Sequence, residues 1–394
     1  MKIIVWEVKK LINRKKIRNL ILIFISLILF SFWITYLIPE TLKEDIKAKE
    51  EKLKELYNQL EKTKDTTEIL HLKSHIRETE KELHQLYEIT GKTPKENWKE
   101  EIKEYLKNLE EEFNKLKKDY SYTLSREYYR VLIDTYKHYL ENNIPPGERK
   151  NMPLIIVIGM LINNLGNIIF PILILYLISD SVSFEYENNG FIWILQTKKG
   201  KKANFIIFKF IAIALSGIVT ILILEILSLL VLHLIYKPRW DIPLHMFTKF
   251  KLENGEVIPV YNSTLKVSIF KGLTYIFLYH SLYLFSLCSV FYFISILSKS
   301  TNKSYFLSIL LTLGGIVIEV VDKTKKFSPW FPFSHYDVTF PFSLQNEIVL
   351  QSKNIIFQFP FPIYILILWS TLSLALTILI FLKTRNKNWK IRKE

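Results

Sequence analysis

The chain reads as an all-α, polytopic membrane protein with six transmembrane helices and a helical extracellular insert between the first and the second. Three observations predict this. Hydrophobic residues make up 49% of the 394 residues, and they are gathered into charge-poor blocks. Each block approaches the roughly 20 residues that a helix needs to cross a bilayer core. A long charged segment separates the first two blocks, and its apolar residues recur at the helical period. The charge is also unevenly placed. Of 53 Lys and Arg against 38 Asp and Glu, 23 and 25 lie between Glu40 and Lys150, which leaves 30 basic but only 13 acidic residues elsewhere.

Residues 1–18 interleave Lys9, Lys10, Arg14, Lys15, Lys16 and Arg18 with Ile3, Ile4, Trp6, Val8, Leu11 and Ile12. That pattern predicts a cytoplasmic interfacial helix on anionic lipid. Residues 19–39 form the first span. The run is too long for a signal-peptide core and ends without a small-residue cleavage site, so it reads as a retained signal anchor.

Residues 40–150 are predicted to form an extracellular helical hairpin or small antiparallel coiled bundle. Leu42, Ile46, Leu53, Leu56 and Leu60 share one helical frame, and Ile69, Leu72, Ile76, Leu83 and Leu86 another, with a break near Thr66-Thr67. Gly91-Lys92-Thr93-Pro94 is a helix stop. Ile102, Leu106, Leu109, Phe113 and Leu116 give a third stripe, and Tyr128, Leu132, Thr135 and Tyr139 a fourth.

Residues 151–383 hold the other five spans, at Leu154–Ser179, Ala203–Tyr236, Phe270–Leu297, Tyr305–Val321 and Phe361–Leu382. The short turn Lys299–Lys303 forces the fourth and fifth to pack antiparallel. Loops 237–269 and 322–360 fall outside the cell; loop 180–202 and the basic tail 384–394 fall inside. Every short basic segment then lies on one side, which the positive-inside rule makes cytoplasmic. The lysine- and isoleucine-rich composition points to a bacterial plasma membrane.

Several chemistries are excluded. Cys288 is the only cysteine, so no disulfide framework or cysteine metal site forms within one chain. Gly200-Lys201 is not a phosphate-binding loop, because Leu195 stands where the first glycine is required. His71 and His75 are four apart but read as a solvated helix face. No hydrolytic or cofactor-binding motif appears, and with no soluble basic domain nucleic acid is not a partner. Glu225 and Glu319 are costly within spans, and Asn163, Asn164 and Asn167 cluster on one helix face. They mark either a polar pathway or bonds between helices. Ser328-Pro329-Trp330-Phe331-Pro332-Phe333-Ser334 cannot be a helix interior. It reads as an interfacial loop or a re-entrant element before the last span.

The loop 180–202 carries the functional signal. It presents Glu185 and Glu187, then Gly190, then the apolar turn with Phe191, Trp193 and Leu195, then Lys198, Lys199, Lys201 and Lys202. Acid before base is the order that a helix dipole favours. It predicts a short amphipathic helix along the inner membrane face, open to a soluble partner.

Glu185, Gly190, Leu195, Lys198 and Lys202 fit the form Glu-x-x-x-x-Gly-x-x-x-x-Leu-x-x-Lys-x-x-x-Lys, with Lys209 opening the next helix. Together with the six spans, the interfacial first helix and the large insert, this resembles the type-2 ABC transporter permeases. The Pro-Trp-Phe-Pro-Phe-Ser stretch is similar to the outer re-entrant region of that family. The resemblance covers the membrane portion and not the insert. It implies a non-enzymatic exporter subunit that binds no cofactor itself. A separate ABC ATPase holding ATP and Mg would dock on the loop, and a second permease chain, identical or related, would complete the pathway. At Lys201 or Lys202 many relatives carry Arg, so a bidentate contact there changes its geometry. The competing reading is a membrane-anchored immunity or envelope-stress scaffold working through its extracellular helices. A secondary transporter is disfavoured because the two halves show no inverted repeat.

Overall fold

Charge-poor runs of this length form helices because a helix satisfies its backbone N–H and C=O groups within one segment, which lipid demands. The computed structural model is mostly helical. It describes residues 5, 7, 9–11, 15–63, 72, 75, 76, 79, 98–116, 123–145, 169–188, 190, 203–236, 239–246, 248–253, 256–260, 262–322, 326–336 and 358–390. In order these form helices α1 (Lys16–Lys62), α2 (Trp98–Leu116), α3 (Thr123–Glu141), α4 (Ile169–Ile178), α5 (Ser183–Glu187) and α6 (Ala203–Tyr236). Strands β1 (Leu244–Met246), β2 (Phe250–Glu253), β3 (Glu256–Pro259) and β4 (Leu265–Val267) follow. Then come α7 (Ile269–Ser298), α8 (Thr301–Val321), two 3-10 turns (Ser328–Trp330 and Pro332–His335) and α9 (Phe361–Lys390).

Four of these helices are, by length and composition, able to cross a membrane: Asn204–Val231, Ile269–Ser298, Thr301–Ile318 and Phe361–Thr384. They coincide with the third to sixth expected spans. The first expected span lies on α1, which continues through Pro39 to Lys62 as one helix. The second is represented by α4; residues 154–168, with Asn163, Asn164 and Asn167, lie outside the described residues, as do Thr66-Thr67 and Gly91–Pro94.

The chain divides into two compact units. The first comprises Met1–Leu27, Gly159–Ser228 and Leu244–Glu394. Its centre is α7, which buries Tyr283, Leu287, Phe291 and Tyr292 and packs against α9, α4 and α8. The aromatic stretch before the last span folds back into this unit. The Asp322 carboxylate accepts from the amides of Phe327 and Ser328, both at 2.7 Å, and so closes the turn after α8. Pro332, Phe333, Ser334 and His335 are buried. His335 Nε2 lies 2.8 Å from the Pro329 carbonyl; a carbonyl only accepts, so this nitrogen carries the proton. Burial pushes the His335 pKa down to about 4. Phe333 lies against Gly315, six residues before the end of α8, so the segment reaches back about 9 Å along that helix.

The region 237–269, expected as a loop, contains two short antiparallel strand pairs. There β1 pairs antiparallel with β4, and β2 with β3. The cause is period-two patterning beside turn residues, which favours a hairpin over a helix. The β1–β4 pair rests on the first turn of α7: a side chain at Gly272 would run into Leu244 and Met246.

The second unit comprises Ile28–Ile158 and Leu229–Pro243. In it α2 and α3 form an antiparallel hairpin. Its register is set by Tyr105 and Tyr136, edge to face at 5.1 Å, and by the Lys137–Glu110 ion pair at 2.7 Å. The core joins Ile102, Leu106 and Leu109 to Ile133, Tyr136, Tyr139 and Ile144, with Ile242 added. The stripe on α2 is the expected one. On α3 the core takes Tyr139 from the expected stripe together with Ile133 and Tyr136, while Leu132 packs against it as a partly buried neighbour.

A methyl group at Gly315 would stand 2.7–2.9 Å from Phe333, while one at Gly314 meets nothing within 4 Å. Gly315→Ala is therefore expected to lower stability by about 1–3 kcal/mol through overpacking. Gly314→Ala should be neutral or slightly stabilising in detergent melting curves. Equal effects of the two would remove the packing role of Phe333.

Candidate functional site

The end of α4, the start of α6, the end of α7 and the start of α8 meet around the short helix α5. Many of the polar groups at this junction pair with groups from other elements. A helix leaves its last carbonyls without intrahelical partners, and a cation suits that end. Lys16, at the start of α1, supplies it for α4. Its ammonium reaches the carbonyls of Tyr176 at 3.0 Å and Leu177 at 3.3 Å, and it pairs with Asp180. Asn19 donates to the Tyr176 hydroxyl at 3.0 Å. Lys16 therefore is buried as a cap, although the sequence placed it on a lipid-facing basic surface. Lys15, just before it, has φ 57°, and this left-handed residue separates α1 from the helical N-terminal residues.

The turn from α4 to α5 is tied to α7 and α8. The amides of Val182 and Ser183 donate to Ser295 Oγ at 3.0 and 3.1 Å, and the Ser304 hydroxyl donates to the Ser179 carbonyl. With these amides satisfied from α7, α5 needs no side-chain cap of its own.

The two loop carboxylates then diverge. Glu185 is turned inward and is only 4% exposed. Lys209, on the second turn of α6 and fully buried, lies 2.6 Å from Glu185 and 3.1 Å from Glu7. Lys10 also pairs with Glu185. Two lysines thus alternate with two carboxylates, joining the N-terminal segment, α5 and α6. Burial by itself would raise the Glu185 pKa, but Lys209 and then Lys10 outweigh it and hold the carboxyl below its ordinary range. Burial and the charge of Lys209 pull Lys10 down despite Glu185 and Glu7. Glu187, in contrast, is exposed and sits at the start of α8. It accepts from Ser300 Oγ at 3.0 Å, the Thr301 amide at 2.8 Å and Thr301 Oγ1 at 2.5 Å. The Thr301 hydroxyl and amide hold its carboxyl below the usual range.

Gly190 is described and half-buried; Phe191, Trp193, Leu195, Lys198, Lys199, Lys201 and Lys202 lie outside the described residues. The Glu319 side chain does so too, although its backbone belongs to α8. Glu225 on α6 faces His280 on α7, with Nδ1 at 3.1–3.2 Å from the carboxylate oxygens and both residues buried. The Phe170 ring closes over His280 at 4.6 Å. This contact joins α6 to α7. Sequence reasoning missed Glu7, Asp180 and Ser295. It also gave Lys209 no partner, yet a lysine seven positions into an apolar helix signals a buried carboxylate nearby.

Apolar membrane-length helices whose ends meet around a shared charged junction define the class: a polytopic membrane protein. The chain belongs to the family of ABC-2 family transporter proteins, whose sequence profile matches residues 8–385. It is accordingly a membrane permease component of an ABC transporter. No curated protein and no solved structure matches the chain.

Lys209→Met leaves Glu7 and Glu185 buried without their shared cation. Breaking such a pair from one side costs about 3–5 kcal/mol, so the melting temperature in detergent should fall clearly. Lys10→Met, at a partly exposed position, should cost much less. The Glu185 carboxyl has an ordinary pKa of 4.5 and a lower one in the folded state. Its contribution is full above the ordinary value and is lost as pH falls through the folded value. Glu185→Gln should remove that acid-side loss; an unchanged acid profile would contradict the pairing.

Proposed function

We propose that this permease is the membrane-spanning subunit of an ATP-driven exporter, and that a separate ABC ATPase docks on residues 180–202. The observation that carries this reading is the anchoring of the acidic half of that loop. A push on α5 meets Lys209 of α6 through Glu185, the N-terminal segment through Lys10, and the start of α8 through Glu187. The apolar and lysine-rich half, Phe191 to Lys202, is then the side offered to the ATPase. Phe191 and Trp193 serve as anchors, since buried aromatic side chains supply much of the binding energy at protein interfaces, and Lys198, Lys199, Lys201 and Lys202 serve as charge partners.

The mechanism is conformational, with no chemistry on this chain. ATP and Mg bind in the ATPase pair; its closure pulls or releases the loop, and the helices tilt. A ligand shifts such an equilibrium only by its differential affinity for the two states, so the ATPase must hold the loop differently when ATP is bound. Two permease chains, identical or related, enclose the pathway, and the termini face the cytoplasm of a bacterial cell. The unburied basic residues of the N-terminal segment, Lys9 among them, rest on anionic lipid. The substrate is a peptide, lipid or drug-like molecule.

An affinity-tagged permease purified from native membranes is expected to bring down an ABC ATPase. Changing Lys198, Lys199, Lys201 and Lys202 together to Glu should abolish that recovery while permease yield is maintained. Equal ATPase recovery from both samples would overturn the docking assignment.

A further inference from the structure

We infer that Glu187 is a positioning residue that fastens the loop to α8, so that α8 acts as a lever between the loop and the aromatic segment Ser328–His335. This rests on the coupling reading above and gives Glu187 a transmission role in place of ATPase docking.

The first amides of a helix need an acceptor, and the usual source is the N-cap side chain. Ser300 holds that position in α8 but makes no such bond. The acceptor comes instead from Glu187, with three hydrogen bonds onto Ser300 and Thr301. A carboxylate at a helix N-terminus also meets the positive end of the helix dipole, and charged acceptors make the stronger hydrogen bonds. Glu187 belongs to the five-residue helix of the loop itself, so it moves with the loop.

The helix it grips is suited to transmission. α8 has 21 residues and is about 30 Å long. Phe306, Leu310, Leu313 and Val317 are exposed, so among the described residues one face of the helix is open. α7 beside it is deeply packed. The chain passes from one to the other through the two residues Lys299 and Ser300, and Lys299 has φ 54°. That short turn is where α8 rotates against α7. Toward its other end, Gly315 lets Phe333 lie directly on the helix axis, and Phe333 in turn lies 6.2 Å from the Phe291 ring of α7. Displacement at Thr301 is therefore delivered to the buried aromatic segment.

The test uses full-length permease in nanodiscs with the ATPase that co-purifies with it. Spin labels are placed on Lys303→Cys and Lys383→Cys, both at exposed positions, and the inter-label distance is measured without nucleotide and with ATP and vanadate. The wild-type background should show a nucleotide-driven shift. Glu187→Ala, and Ser300→Ala/Thr301→Val from the other side of the contact, should keep the ATPase bound. Both should reduce the shift about fivefold or more, the lower range of coupling between sites. A full shift in both variants would overturn the inference. Loss of the ATPase from Glu187→Ala would also overturn it, by making Glu187 a docking contact while coupling itself survives. Failure of the unsubstituted permease to retain any ATPase would defeat the coupling reading and this inference together.

Discussion

A lysine with no exposed surface holds together carboxylates from two distant parts of the chain. Lys209 belongs to the start of α6, Glu7 to the N-terminal segment and Glu185 to the loop after α4. Charges are rarely buried without partners, because desolvation costs more than a single imperfect contact returns. The arrangement is therefore highly demanding: the N-terminal segment, α5 and α6 must be present together for any of the three to be satisfied. It contributes less to net stability than to fixing one geometry, and that geometry places the loop under the bundle.

The other contacts at this junction follow the same economy of unsatisfied groups. Helix ends supply the needs, and side chains from elsewhere in the chain meet them. Lys16 caps the end of α4, Ser295 accepts the amides before α5, and Glu187 caps α8. Each cap comes from a different element, so the ends of three helices, α4, α5 and α8, are tied by side chains from elsewhere in the chain. The pair formed by Glu225 and His280 does a similar task between α6 and α7. Here the two polar groups remove one another from the apolar interior, in the manner of polar contacts between membrane helices.

The helices were legible where local physics decides. The apolar run from Ala203 to Tyr236 forms a helix with those bounds, and Lys299–Lys303 was short enough to fix the neighbouring pair. The hairpins were missed even though Asn254-Gly255 stands between alternating residues, because the surrounding loop looked merely polar and aromatic. On α3 the expected Tyr139 lies in the core and Leu132 packs against it, whereas Ile133 and Tyr136 fell outside the expected frame. The loop itself stood out from its acid-to-base order and its match to the family form. Its fastening did not, because Glu185 and Lys209 find partners far away in sequence. Neither periodicity nor spacing carries that information, and Glu185 and Glu187 looked alike until the fold turned one inward and set the other on a helix end.

Hydrogen exchange on the intact permease in nanodiscs tests the fastening most directly. The backbone of residues 180–188 should exchange slowly in the unsubstituted chain. With Lys209→Met, that stretch and residues 5–11 should accelerate together, because one side chain holds both. Rapid exchange of 180–188 in the unsubstituted chain, or acceleration of neither stretch on removing Lys209, would contradict the account.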